Sequence, residues 1–477
     1  MSRWRDEEWR KGMKISFDFN HMMSESVGKT DGVTASEVEA LIPKARDIHE
    51  ELSARRRSGD LPFFDLPYQE TGPVKELADW VADRSGNFVL LGIGGSALGP
   101  IALQSGLRHP FHNLLDDAAR GGRPRMFFAD NVDPDHFTAM LDMLDMDKTV
   151  FDVVTKSGGT AETMAGFMAA KKRVIDALGE SALKDHFVAV TDPAKGNLRK
   201  IVEDEGYRAL EAPPGVGGRF SVFTPVGLLP AAVSGIDIDE LLAGAAYMDR
   251  LTSVSELWDN PAYMASALQY IADTKKGKHV CVMMPYANSL KDVADWFRQL
   301  WAESLGKRLD LEGNEVNTGQ TPVNALGATD QHSQVQLYME GPNDKTFTFI
   351  RVGRFREQLA IPKSYGNMEG VGYLGGKTMA ELINAEQSAT ETALVKAGRP
   401  CCRITVPEVN AFTMGQLLYM FEVMTAFSGG LYGIDPFDQP GVEEGKLLTY
   451  AMMGRPGFEG KKKELEDLSG GRERYIL

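Results

Sequence analysis

Phe88-Val-Leu-Leu-Gly92-Ile-Gly94-Gly95-Ser96-Ala97 is the stretch on which the fold turns. A short apolar run that ends in glycines and opens a small-residue segment is the pattern of a buried parallel strand turning into a helix. The same texture recurs at Met126–Asp130, Val150–Val154 and Phe187–Thr191, with helical patterns between. Further on, His279–Pro285 reads as a buried strand leading into a helix over Ser289–Leu305. Thr378–Lys396 reads as another helix and Arg403–Pro407 as another strand. The Gly- and Pro-rich Glu211-Ala-Pro-Pro-Gly-Val-Gly-Gly218 marks a boundary. An α/β fold follows, with two α/β/α sandwich domains on mainly parallel sheets, at 76–212 and 213–450. A mostly helical N-terminal extension (1–75, clearest over Thr34–Ser58) and a C-terminal tail (451–477) flank them.

The bulk numbers agree. A chain of 477 residues exceeds what one hydrophobic core usually organises. Fifty-two Lys and Arg against 67 Asp and Glu leave a net charge of −15, a surface that repels nucleic acid and anionic lipid. A small anion can bind only where local donors overcome that field. Cys281, Cys401 and Cys402 form no disulfide framework and read as buried thiols of a reducing compartment. The charged Met1–Trp9 is no secretory signal, and no apolar run reaches the ~18–20 residues of a membrane helix. Cytoplasmic is the expectation.

Two loops carry candidate chemistry. Gly92-x-Gly94-x-x-Ala97 satisfies a loose dinucleotide fingerprint, with Asp130 as a ribose ligand, so a nicotinamide-dependent oxidoreductase is one reading. Thr155-Lys156-Ser157-Gly158-Gly159-Thr160 precedes a helix whose expected buried stripe is Met164, Phe167, Met168, Val174 and Ile175. Three hydroxyls, a Lys and two glycines at a helix start make a phosphate cradle; helix capping by Thr160 or Ser157 accounts for one hydroxyl only. No Gly-Lys-Ser/Thr follows at P-loop spacing.

Arg219 follows Gly217-Gly218 and could face a developing oxyanion or form an ion pair. On the helix Ser289–Leu305, Glu303 falls beside the stripe Val293, Trp296, Phe297, Leu300, Trp301 and Ser304, stacked on Gln299. A carboxylate at an aromatic rim suits a base; helical spacing alone favours an ion pair with Lys307. His332 lies among polar residues, unlike a core histidine. His109 and His112 are the one histidine pair near metal spacing, and they lack a helical Glu, so no metal is expected. Lys446, after Gln439-Pro-Gly-Val-Glu-Glu-Gly, either pairs with Glu443 or reaches across a cleft.

In combination, Gly92-Ile-Gly-Gly-Ser96, Lys156-Ser-Gly with Thr160 and Glu162, Gly217-Gly-Arg219, Glu303-Ser-Leu-Gly-Lys307, Gly327-Ala-Thr-Asp-Gln-His332-Ser and Gln439-Pro-Gly-Val-Glu-x-Gly-Lys446 resemble the phosphoglucose isomerase family in its shorter bacterial form. The resemblance runs from about Ile15 to the C-terminus; residues 1–14 match nothing, and Met13 is a possible natural start. It implies sugar isomerase-type domains, no cofactor, a sugar phosphate substrate and a homodimer with a shared active site that His332 enters from the partner. It implies that Glu303 moves the proton between C1 and C2, that Arg219 stabilises the enediolate, and that His332 and Lys446 assist ring opening. Gly95, Ser96, Thr155, Lys156, Ser157, Thr160, Gly218, Gln299 and Gln439 would hold the sugar and its phosphate. Gly159 stands where a Thr is usual in the phosphate loop, and Thr155 where Ser is commoner. A sugar-phosphate sensor without turnover would need the cradle but not Glu303, Arg219 or Lys446.

Overall fold

The computed structural model describes residues 3–469 and Ile476. Met1 and Ser2 of the supposed non-signal segment, and 470–475 and 477 of the expected tail, lie outside the described residues.

Strand β1 (Ser16–Asp18) is an edge strand whose neighbours come much later in the chain. β2 (Asn87–Leu91), β3 (Arg125–Ala129), β4 (Thr149–Val154), β5 (Phe187–Thr191) and β6 (Arg208–Glu211) form the first sheet. They run parallel in the order β3-β2-β4-β5-β6, with Leu91 beside both Ala129 and Val153. β7 (Val280–Pro285) is followed by a hairpin, β8 (Lys307–Leu309) with β9 (Glu315–Thr318), and then by β10 (Thr321–Asn324), β11 (Lys345–Arg354) and β12 (Cys401–Glu408). The second sheet takes the order β1-β12-β11-β7-β10, parallel except where β1 runs against β12. Counted from its own first parallel strand, each sheet winds 2-1-3-4. The first then adds β6, and the second is closed by β1, so the N-terminal extension, otherwise largely helical, completes the distant sheet.

Alternation along the strands explains their continuous apolar runs. Phe88 and Leu90 join Cys281, Met283, Ile350 and Ile404 in one large core cluster between the sheets. Val89 and Leu91 belong to a separate cluster on the outer face of the first sheet, and Val282, Met284, Phe347 and Phe349 to another on that of the second. A sheet covered on both faces leaves no polar side to its strands. Through the shared middle layer runs the helix Ala411–Tyr432, buried on almost every side, as an all-round apolar helix must be. It crosses the helix Ile238–Thr252 at paired glycines: a Cβ on Gly244 would stand 1.9 Å from the Phe412 carbonyl oxygen, and one on Gly415 2.0 Å from that of Leu241.

The expected strands recur within one or two residues of their sequence positions, and all three cysteines are buried free thiols. The stretch Thr34–Ser58 is two helices, Ala35–Glu39 and Ile42–Ser58, because Pro43 restarts the chain in the first turn of the second. In the helix Ala161–Leu178 the buried line is Thr163, Phe167, Ala170 and Val174; Met168, one residue round from Phe167, is 60% exposed and leaves the expected stripe. Among the described residues no helix is long and apolar enough to cross a membrane.

Glu422, within Ala411–Tyr432, is fully buried with no hydrogen-bond partner among the described residues for either carboxylate oxygen, and burial pushes its pKa well up. The folded chain therefore keeps the proton to higher pH than the unfolded chain. Stability is fully present below the unfolded value of ~4.3 and falls as pH rises toward the folded value. Glu422→Gln is expected to unfold in urea near the wild-type midpoint at about pH 4.5 and above it at about pH 8. Equal midpoints at both pH values would show that the carboxyl has found a partner.

Candidate active site

In doubly wound sheets ligands sit outside the carboxyl ends of the strands where the winding reverses. In the first sheet that point lies between β2 and β4, so the loops Gly92–Ser96 and Thr155–Thr160 flank it. The second loop is tightly built. Gly158 takes φ +64°, and a Cβ there would stand 2.1 Å from the Leu198 nitrogen. The buried Thr155 hydroxyl accepts from the Gly158 N–H at 3.3 Å and lies 3.2 Å from the Thr160 hydroxyl. Ser157 Oγ accepts from the Gly159 N–H at 3.1 Å. Thr160 is the N-cap of the helix Ala161–Leu178, yet its side chain caps nothing. The first-turn N–H groups and the positive end of the dipole therefore face outward with that hydroxyl. Lys156 turns aside: its ammonium, its pKa lowered by burial, donates to the Val216 carbonyl at 3.2 Å.

The β2 loop is occupied by protein. A Cβ on Gly94 would be 2.9 Å from Gln299 Nε2, and one on Gly95 only 2.3 Å from the Gly218 backbone. Ser221 Oγ donates to the carbonyls of Gly218 (2.7 Å) and Gly95 (3.3 Å), fixing that approach. A dinucleotide pyrophosphate needs the space that Gln299 fills, which removes the support for the nicotinamide reading. Ser96 lines a small hollow with Lys156 and Gly218.

Gln299 leads to the carboxylate. On the helix Lys291–Leu305, Val293, Trp296, Phe297, Leu300, Trp301 and Ser304 are buried and Glu303 sits at the rim with 35% of its side chain exposed. Arg219, 5% exposed, donates from Nη1 to Glu303 Oε2 at 2.8 Å and to Gln439 Oε1 at 3.1 Å. From Nη2 it donates to the carbonyls of Pro436 (3.0 Å) and Asp438 (3.1 Å). Gln299 Nε2 reaches the other Glu303 oxygen at 3.5 Å. The ion pair with Lys307 favoured by spacing is not made. Lys307, i+4 on a helix that ends at Leu305, curls back to cap the Glu303 carbonyl (2.8 Å) and reaches the Asp438 carbonyl (2.7 Å).

Lys446, on the helix Glu443–Met452, pairs with Glu443 at 2.7 Å, and both line a cleft of about 610 Å³ with Ile93, Ser157, Thr160 and Tyr450. Tyr450, which sequence reasoning missed although it lies one turn beyond Lys446, donates from its hydroxyl to the Gly159 carbonyl at 3.3 Å. His332 stands apart. Gln331 is anchored to Tyr286 and Thr390, and Asp330 accepts from the Leu326 N–H, so the turn presents His332 outward and exposed. Within one chain it makes no hydrogen bond to the Arg219–Glu303 cluster. His109 and His112 are committed elsewhere: His112 Nε2 to the Pro124 carbonyl, and His109 Nδ1 to the Phe111 N–H. Among the described residues no cluster of ligating side chains could hold a metal ion.

Residues 78–466 match the profile of the family described as phosphoglucose isomerase. Glucose-6-phosphate isomerases of Carboxydothermus hydrogenoformans and Rubrobacter xylanophilus are each 45% identical, over 95% and 93% of this chain and 97% and 99% of theirs. The chain belongs to the phosphoglucose isomerase family. A hypothetical protein of Thermus thermophilus superposes with TM-score 0.82 at 36% identity, over 92% of this chain and all of that one. A glucose-6-phosphate isomerase from Chlamydia trachomatis shares the fold, with TM-score 0.77 at 22% identity, over 92% and 91% of the two chains.

Because Thr160 does not cap its helix, Thr160→Ala is expected to cost less than about 0.5 kcal/mol in unfolding free energy, against the ~1 kcal/mol of a working cap. The same change should weaken inorganic phosphate binding several-fold by titration calorimetry. A capping-sized stability loss with unchanged phosphate affinity would assign the hydroxyl to the helix.

Proposed function

We propose that the chain interconverts glucose-6-phosphate and fructose-6-phosphate, a step of glycolysis and gluconeogenesis, by ring opening and proton transfer through a cis-enediolate. The observation that carries this reading is the Glu303 carboxylate, held between Arg219 and Gln299 beside the loop that adjoins the cradle. Aldose–ketose exchange moves one proton between adjacent carbons and has no net redox change. It needs a single base on one face of the sugar and a positive group to meet the enediolate oxygen. Glu303 is the base. Arg219, already bonded to it, is the fixed cation. The phosphate sits on the free N–H groups and hydroxyls at Ser157 and Thr160, with Ser96 and Lys156 alongside. This remote anchor holds C1 and C2 against the carboxylate. Gln299 and Gln439 orient the sugar, while Gly95 and Gly218 bring the two loops together and Thr155 braces the cradle from below. Lys446, across the cleft from the cradle, serves proton transfer on ring opening.

His332 completes the site from a second copy. Its outward turn supports a homodimer with shared active sites, each sugar-ring proton transfer drawing on the partner's imidazole. The sheet-forming regions 76–212 and 213–450 are the two domains, and the enzyme works in the cytoplasm without a cofactor.

A coupled assay of fructose-6-phosphate conversion tests the activity, and EDTA should leave it unchanged. Glu303→Gln is expected to lower kcat by about 10²–10⁴-fold with KM nearly kept; a variant retaining more than about a tenth of the turnover would remove Glu303 as base. Separately, dimers mixed from Glu303→Gln and His332→Ala chains, each inactive alone, should recover about a quarter of wild-type activity, because half the sites in heterodimers are intact. No recovery after confirmed subunit exchange would place His332 in its own chain's site.

A further inference from the structure

We propose that Thr191, the last residue of β5, and Asn197, which opens the helix after it, are positioning residues that set the phosphate cradle by holding its carbonyl groups away from the ligand. This rests on the reading of Thr155–Thr160 as the phosphate site. The bonds follow the cradle residue by residue. Thr191 Oγ1 donates to the Thr155 carbonyl at 2.9 Å, and the Lys156 carbonyl accepts from Thr191 Oγ1 (3.3 Å) and the Asp192 N–H (3.2 Å). The Asn197 N–H donates to the Ser157 carbonyl at 3.0 Å, and Asn197 Nδ2 to that of Gly158 at 3.2 Å. Four consecutive carbonyls are thus pinned by one neighbouring segment, from the end of β5 to the start of the next helix.

A peptide plane has one N–H and one C=O on opposite sides, so fastening the Thr155 and Lys156 carbonyls inward turns the N–H groups of Lys156 and Ser157 outward, while those of Gly158 and Gly159 are taken by the loop's own hydroxyls. An anion cradle needs that polarity, because one carbonyl rotated toward a phosphate would oppose it electrostatically. The supporting loop is itself rigid. Asp192 Oδ1 accepts from the N–H groups of Ala194 and Lys195, both at 3.0 Å, and the Asp192 carbonyl accepts from Arg199 Nε at 2.8 Å. Gly196, at φ +104°, lets the loop close on Ser157: a Cβ there would stand 2.6 Å from the Ser157 carbonyl oxygen. Neither Thr191 nor Asn197 lines the cleft beside the cradle, so both act through the loop.

The test uses the full chain. Thr191→Val keeps the buried shape and removes the donor, Thr191→Ser keeps the donor, and Asn197→Ala alters an exposed side chain outside the core. For Thr191→Val and Asn197→Ala, KM for fructose-6-phosphate and the inhibition constant of inorganic phosphate are expected to rise together by roughly five- to tenfold, with kcat within about twofold, since lost preorganisation weakens binding. Thr191→Ser should match the wild type. A fall in kcat with phosphate affinity unchanged, or an equal loss in Thr191→Ser, overturns the proposal. Phosphate affinity by titration calorimetry reads the cradle without turnover. A wild-type chain that binds phosphate but does not isomerise would sink the functional reading and leave this one standing.

Discussion

The site depends on one buried guanidinium. Arg219 is almost wholly withdrawn from water, and a buried charge persists only where partners meet it; here both terminal nitrogens are met, while Nε has no partner among the described residues. Its planar fork meets Glu303 and Gln439 on one nitrogen and two carbonyls of the turn Pro436–Asp438 on the other. Those partners come from two distant parts of the chain, so one side chain gathers the helix of the base and the C-terminal turn onto the loop Gly217–Arg219. Lys307 adds a second cation to the same Asp438 carbonyl. A lysine in place of Arg219 would carry the charge without the flat fork that serves two directions at once.

Topology supplies the rest of the convergence. The first sheet places the ends of β2 and β4 side by side, which makes a crevice between their loops. Gly95 meeting Gly218 then ties the β2 loop to the segment that carries Arg219, and Gln299 lies over Gly94 while touching Glu303. Cradle and base are therefore neighbours through one glycine-rich turn. Side chains larger than hydrogen at Gly95 would force the two loops apart.

Much of this was legible in sequence because buried parallel strands and helix-start loops have local signatures. β11, the longest strand at 10 residues, was not: Lys345-Thr-Phe-Thr-Phe-Ile-Arg-Val alternates polar and apolar like a half-exposed strand. Its threonines are buried all the same, Thr346 bonding Gln269 inside the protein at 2.8 Å. The helix Ala411–Tyr432 also escaped, since a helix buried on all sides shows no 3.6-residue period. At the site, residue types pointed to Glu303, Arg219 and the hydroxyl loop. The pairing of Arg219 with Glu303, 84 residues apart, has no local trace. Helical spacing instead favoured Lys307, whose side chain turns back to cap its own helix.

The surface charge explains why the cradle relies on dipoles. A protein carrying −15 repels anions at long range, and exposed lysines would be partly spent against that field. Oriented N–H groups and hydroxyls carry no net charge, act within the first shell and lose nothing to the distant acidic surface. The lysine in the cradle sequence is fastened to the Val216 carbonyl, and Lys446 is paired with Glu443, so each ammonium already has a protein partner. Such a site attracts little from afar and rewards only a phosphate that reaches contact distance. Polyanions, which depend on long-range attraction, gain nothing there, whereas a small sugar phosphate loses nothing by their exclusion.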